Sequence, residues 1–328
     1  MSLENRLKGV FEKLPSRELT DGDKPIREFI SMAAASGVNA FDEKVIDKYM
    51  VDCHMVENKI IKLIINTFDL ELDSTYLSLY RHHLGVVKIS RDKESIILAD
   101  ELFIYTMISF FITVFSLTYD KSIDNYKRCI KNSVVLLDLQ GIKNTIGTFD
   151  NEEFNKMAIL PDNIINLAMD AYWTSWTFVI AHEIFHIVNK KELLPALEEK
   201  EADAFGYKVL MQLIKAQKEN KVPKDVSPFY EYLYLSPMML LEYYKLLDYY
   251  KSLFNIPIEH GTHPDPIQRQ DYLFELFDSC VPDTIDTTIG NDLYNSFLDT
   301  IDLIKEELKI KKRLGKLFDI HIENLEKY

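Results

Sequence analysis

The 328-residue chain has little of what marks several common architectures. Glycine occurs only 10 times, about 3% against a typical roughly 7%. That scarcity speaks against an all-β fold with many tight turns and against a glycine-rich nucleotide-binding fold. Cysteine occurs three times, at Cys53, Cys129 and Cys280, far apart and without a CxxC pair. Reduced thiols in a cytoplasmic protein are the simplest expectation. Basic residues are outnumbered 38 to 52, for a net charge of −14, which excludes counterion-release binding to nucleic acid or to an anionic membrane over most of the surface. The first residues, MSLENRLKGVFEKLPSREL, mix charges through their apolar positions and do not read as a signal peptide. Neither a GxSxG elbow nor a P-loop is present. One uncharged run needs weighing, the 18 residues Leu102–Tyr119. It stands at the lower edge of membrane-spanning length, but it holds five Ser or Thr and lacks basic flanks. A buried core helix is expected there, with a membrane tether as the alternative. Histidine is also rare, at eight residues.

What is present suits a globular chain able to bury a large core: 47% hydrophobic and 27% charged residues. The pattern reads as a helical N-terminal region, 1–85, followed by a larger region, 86–328. The spacing of Val45, Ile46, Tyr49, Met50, Val56, Ile60, Leu63, Ile64 and Thr67 predicts a helix over Glu43–Phe68. Strands are expected at Val86–Ser90, Ser95–Leu98 and Val134–Leu139. From there the chain is nearly all helical, at about 173–189, 195–220, 228–254, 264–279 and 284–313, with prolines at the breaks and Pro237 kinking or splitting the third. The fold class expected is α+β, mainly helical, with a small mixed sheet.

The chemistry concentrates in Val179–Val188, VIAHEIFHIV. His182 and His186, four apart, project from one face of a helix one turn apart. Two imidazoles so placed can bind one Zn²⁺ while Glu183 on the adjacent face reaches a metal-bound water. The flanking residues make this helix apolar nearly all round, and a buried helix has no ordinary reason to carry two histidines and a glutamate. Thirteen residues on, Glu199 opens EKEADAFG on a helix expected to start near Pro195. The gap 189–194 is long enough to return the chain antiparallel. Glu199 is then favoured as the third ligand over Glu198 and Glu201, and Asp203, one turn further, is placed to accept an N–H from a ligand histidine. Ala202 would let the two helices approach closely. Downstream, Thr262-His263-Pro264 leads to Arg269; His263 and Arg269 are candidates for stabilising a developing oxyanion. His260 is a competitor of His263 for ligation.

Taken in order, HEIFH, EKEAD and THP with an arginine six residues after the histidine resemble the gluzincin metallopeptidases. The likeness is strongest to the HtpX/CAAX-prenyl-protease motif set. The helix EKEADAFGYKVL also resembles soluble ImmA/IrrE-type and phage-exclusion, Lit-like peptidases. The resemblance covers about 165–275. It implies a zincin-like catalytic domain built on an active-site helix, one Zn²⁺ per chain, and hydrolysis of a protein or peptide substrate. By position it puts metal ligation on His182, His186 and Glu199, the general base on Glu183, the outer partner on Asp203, and substrate or transition-state contacts on His263 and Arg269. The short interval from His186 to Glu199 and the lack of several membrane helices point toward a soluble, phage-defence or regulatory peptidase. The alternative is a non-catalytic metal-binding or protein-interaction module.

Overall fold

The computed structural model describes residues 57–70, 74–80, 86–91, 94–120, 122–141, 162–189, 193–223, 226, 229–258, 260 and 263–313. The expected helix Glu43–Phe68 is described only from residue 57 on, as α1 over 57–67 with Ile60 and Ile64 fully buried. His54, His82, His83 and His321 lie outside the described residues. Three extended segments follow α1, β1 (Ser74–Tyr80), β2 (Val86–Arg91) and β3 (Glu94–Asp100). Their backbones pair in the order β1-β3-β2, β1 parallel and β2 antiparallel to β3. The helices after them are α2 (Glu101–Tyr119), α3 (Ile123–Gly141), α4 (Asp162–Val188), α5 (Pro195–Lys218), α6 (Ser236–Leu253), α7 (Pro266–Cys280) and α8 (Thr287–Arg313). A short 3₁₀ turn, Glu231–Leu233, precedes α6.

The α+β, zincin-like class expected from the sequence does not hold. Among the residues whose side chains are described every element is helical, and eight helices make up the packed body. The misreading is clearest at Val134–Leu139, expected as a third strand and found inside α3. A short, mostly apolar run, here VVLLDL, fits a strand or a buried helix equally well. Here Ile130, Val134 and Leu137 are all buried at helical spacing, and tertiary packing selects the helix.

Helix α2 is the uncharged run, and it is buried from Thr106 to Thr118. Its phenylalanines meet α6 and α8: Phe110 lies 4.7 Å from the Tyr243 ring and 5.9 Å from that of Phe297, centroid to centroid. Burying each such ring contributes roughly 1.5–3 kcal/mol. Among the described residues no helix is long and apolar enough to cross a membrane. Helix α4 is the central rod, buried on almost every side from Ile164 to Ile184, with Trp173 and Trp176 fully enclosed.

Three local signals place α5, α6 and α7. Leu194 is extended (φ −63°, ψ 140°) and Pro195 begins α5, so the connection after α4 ends where proline suits a first turn. Pro237 stands in the first turn of α6, so it starts that helix and does not kink a longer one. Asp265 caps α7 by accepting from the Ile267 N–H at 2.7 Å, with Pro266 in the first turn. Helix α5 returns antiparallel along α4: Phe178 meets Gly206, His182 meets Asp203 and His186 meets Glu198. Gly206 is what allows this approach, since a Cβ there would sit 2.9 Å from the Phe178 carbonyl oxygen.

Candidate metal centre

Helix α4 presents His182 and His186 on one face toward the first turns of α5. His182 Nδ1 lies 2.9 Å from Asp203 Oδ1, and His186 Nδ1 lies 3.0 Å from Glu198 Oε1. Carboxylates are acceptors, so the network assigns the proton of each ring to Nδ1 and leaves both Nε2 lone pairs facing inward. Those two Nε2 atoms are only 3.1 Å apart. Two lone pairs at that separation repel unless a proton or a cation lies between them.

Glu199 completes the convergence. Its Oε2 lies 3.2 Å from His182 Nε2, and its Oε1 3.6 Å from His186 Nε2. Tetrahedral ligands at metal distances of 2.0–2.1 Å stand about 3.3 Å apart; the separations here are close to that, with Glu199 turning a different oxygen to each imidazole. Glu199 Oε2 is buried and has no well-aimed hydrogen bond of its own. The donor chemistry, nitrogen and carboxylate oxygen, suits zinc. His263 enters from the segment before α7, its Nδ1 2.6 Å from Glu199 Oε2. His182, Glu199 and His263 together form a metal-capable triad, with ligand atoms within 4.8 Å of one another.

The electrostatics follow from burial opposed by pairing. Burial works against charge on His182, yet Asp203 and Glu199 outweigh it and push its pKa up to about 9. Burial would also raise Glu199 and Asp203. The imidazoles around Glu199, and Arg269 with His182 around Asp203, instead hold both far below the usual carboxylate range. Glu183 goes the other way: burial raises its pKa, only partly offset by His182, His186 and His263.

The structure thus brings His182, Glu183, His186, Glu199, Asp203 and His263 to one place. Arg269 is there too, but on Asp203, with Nε 2.8 Å from Oδ2 and Nη2 2.6 Å from Oδ1. Two of its nitrogens are engaged on the residue that orients His182. His260 turns to Asp248 at 3.6 Å. Glu201 is exposed on α5. The sequence reading assigned Glu198 no partner, although the antiparallel register that puts Asp203 on His182 also puts Glu198 on His186. It also missed Tyr244 of α6, whose hydroxyl is raised first by burial and then feels Arg269 and Glu183, so it borders the site. No sequence signal marks Tyr244, because nothing in its local pattern separates it from the neighbouring core tyrosines.

No protein-family model matches the chain, and no curated protein or solved structure matches it. The gluzincin resemblance therefore rests on its motifs. Among its described residues the protein is helical and carries a His/Glu/His site able to hold a metal ion.

Proposed function

We propose that this protein is a zinc-dependent metalloendopeptidase acting on a protein or peptide substrate. The observation that carries the reading is the convergence of two imidazoles of an HExxH helix on one carboxylate of α5, with the buried Glu183 beside them. His182, His186 and Glu199 would hold the ion. A zinc ion held there supplies Lewis acidity toward a carbonyl and acidifies water.

The remaining work falls to the chain. Glu183, its pKa raised by burial, is the carboxylate beside the ligands that can act as general base. It takes a proton as water adds to the scissile carbonyl, then delivers that proton to the leaving amine as the C–N bond breaks. Asp203 keeps His182 in the tautomer that presents Nε2, and Arg269 keeps Asp203 charged and in place. His263, the most exposed of these side chains, would contact a substrate carbonyl oxygen.

Glu183→Gln tests this. The variant is expected to keep its metal content and lose cleavage by at least about 100-fold. Comparing cellular neo-termini between wild type and Glu183→Gln would name the substrate, and full activity in the variant would overturn the mechanism. A second reading, a closed structural metal site, is favoured by the nearness of His263 to the ligands. On that reading wild type and Glu183→Gln yield the same termini.

A further inference from the structure

We infer that His263 is a displaceable fourth metal ligand, which fills the site at rest and must leave before a substrate is accommodated. This rests on the metallopeptidase reading above and concerns the regulation of that same site.

Four observations support it. One ring nitrogen of His263 belongs to the group of ligand atoms lying within 4.8 Å of one another, so one ion can reach it together with His182 and Glu199. Glu199 Oε2 lacks a well-aimed hydrogen bond although His263 Nδ1 is 2.6 Å away and His182 Nε2 3.2 Å away. One buried carboxylate oxygen thus faces two imidazole nitrogens at once, which is also how the ligands of a shared ion stand. The third observation is the contrast in mounting. His182, His186 and Glu199 sit on helices with side chains 4%, 9% and 8% exposed, whereas His263 lies in a non-helical segment with its side chain 41% exposed.

The fourth is the outer partner. Asp203 and Glu198 hold the Nδ1 of His182 and His186, and among the described residues no side chain holds the Nε2 of His263. An imidazole without such a carboxylate is the weaker ligand of a set. The 2.6 Å separation is also shorter than a tetrahedral edge of about 3.3 Å. Loading the ion therefore requires a small movement, and of the four residues only His263 is free of a helix. Its backbone N–H donates to the His260 carbonyl at 3.1 Å, and His260 faces Asp248, which sets where the ring returns. His186 is not among the ligand atoms of that group, so a closed shell of three nitrogens and one oxygen forms only as His263 and His186 draw together on the ion. With His263 released, one position opens and the imidazole stands at the mouth, where an oxyanion would develop.

Titration of the full-length protein with Co²⁺, read by visible absorption, decides the matter. Wild type is expected to give a tetrahedral spectrum that acetohydroxamate perturbs only at high concentration. In His263→Ala the Co²⁺ affinity falls about 10–100-fold, the spectrum changes, acetohydroxamate binds at least about 10-fold more tightly than to wild type, and free imidazole restores the original spectrum. His263→Gln, which keeps a polar side chain, is expected to behave like the alanine variant. A spectrum, Co²⁺ affinity and acetohydroxamate response in both variants equal to wild type would overturn the latch while leaving the peptidase reading intact. A wild-type chain that takes up no Co²⁺ would overturn both.

Discussion

Two carboxylates are buried against helix α4, less than two turns apart along it, and they hold their protons in opposite ways. Glu57 of α1 is fully buried, with Oε1 accepting from Trp176 Nε1 at 2.6 Å and Oε2 unpartnered. Burial dominates there, only partly offset by the indole N–H, and pushes its pKa up to about 8. Glu199 is also buried, but three imidazoles converge on it and hold it ionised. The same residue type is a neutral acid in the apolar half of the helix and an anion at its histidine end. Burial alone therefore does not make a ligand. The charge partners do, and they come from other elements.

The largest expected effect follows from breaking the charged end. Asp203→Asn removes the partner of both Arg269 and the His182 Nδ1–H, leaving a largely buried guanidinium uncompensated. A loss of about 3–5 kcal/mol in stability, with roughly 10–100-fold weaker zinc binding, should be seen by denaturant unfolding and metal titration. The neutral end gives the next largest. Glu57 is protonated when folded up to about pH 8 and ionises at its ordinary 4.5 when unfolded, so stability falls as pH rises between those values. Glu57→Gln should remove that slope and stabilise the protein at pH 7 by on the order of 3 kcal/mol. Its pH-dependent unfolding would show no change if Glu57 were ionised in the fold.

Glu199→Gln should weaken zinc binding by at least about 100-fold, more than loss of a carboxylate behind a ligand, while the far-ultraviolet dichroism is kept. The metal-free protein carries its own slope at this end. His182, raised to about 9 from an ordinary 6.5, favours the folded state below pH 6.5, and that contribution is lost as pH rises toward 9. Because ligation requires neutral Nε2, zinc uptake should release a proton and strengthen over the same range. The smallest effect is steric. Gly206→Ala forces its methyl against the Phe178 backbone and ring, for an expected loss of about 1–3 kcal/mol. It should weaken metal binding by separating α5 from α4 and leave the Glu57–Trp176 contact unchanged, as tryptophan fluorescence would report.

Much of the site could be read before any fold was known, and the reason is local. Helical periodicity alone sets His182 and His186 on one face, and a short connection ending at Pro195 returns α5 antiparallel, which carries Glu199 and Asp203 to them. The expected strand at Val134–Leu139 failed because a short, mostly apolar run carries no periodicity to separate helix from strand. The uncharged Leu102–Tyr119 was legible as a core helix through its hydroxyls and its lack of basic flanks.

By itself, then, the sequence determined the pairs that one helix or one tight return brings together: HExxH, and the acidic first turns opposite it. Tertiary structure decided the rest. Arg269, 66 residues beyond Asp203, was placed on it by the packing of α7 along α5. Likewise His263 reached the ligands through the segment before α7, and Glu57 met Trp176 across 119 residues. A contact within a few turns is fixed by backbone geometry, whereas the register between distant helices depends on how whole cores interlock. No local pattern of residues encodes that.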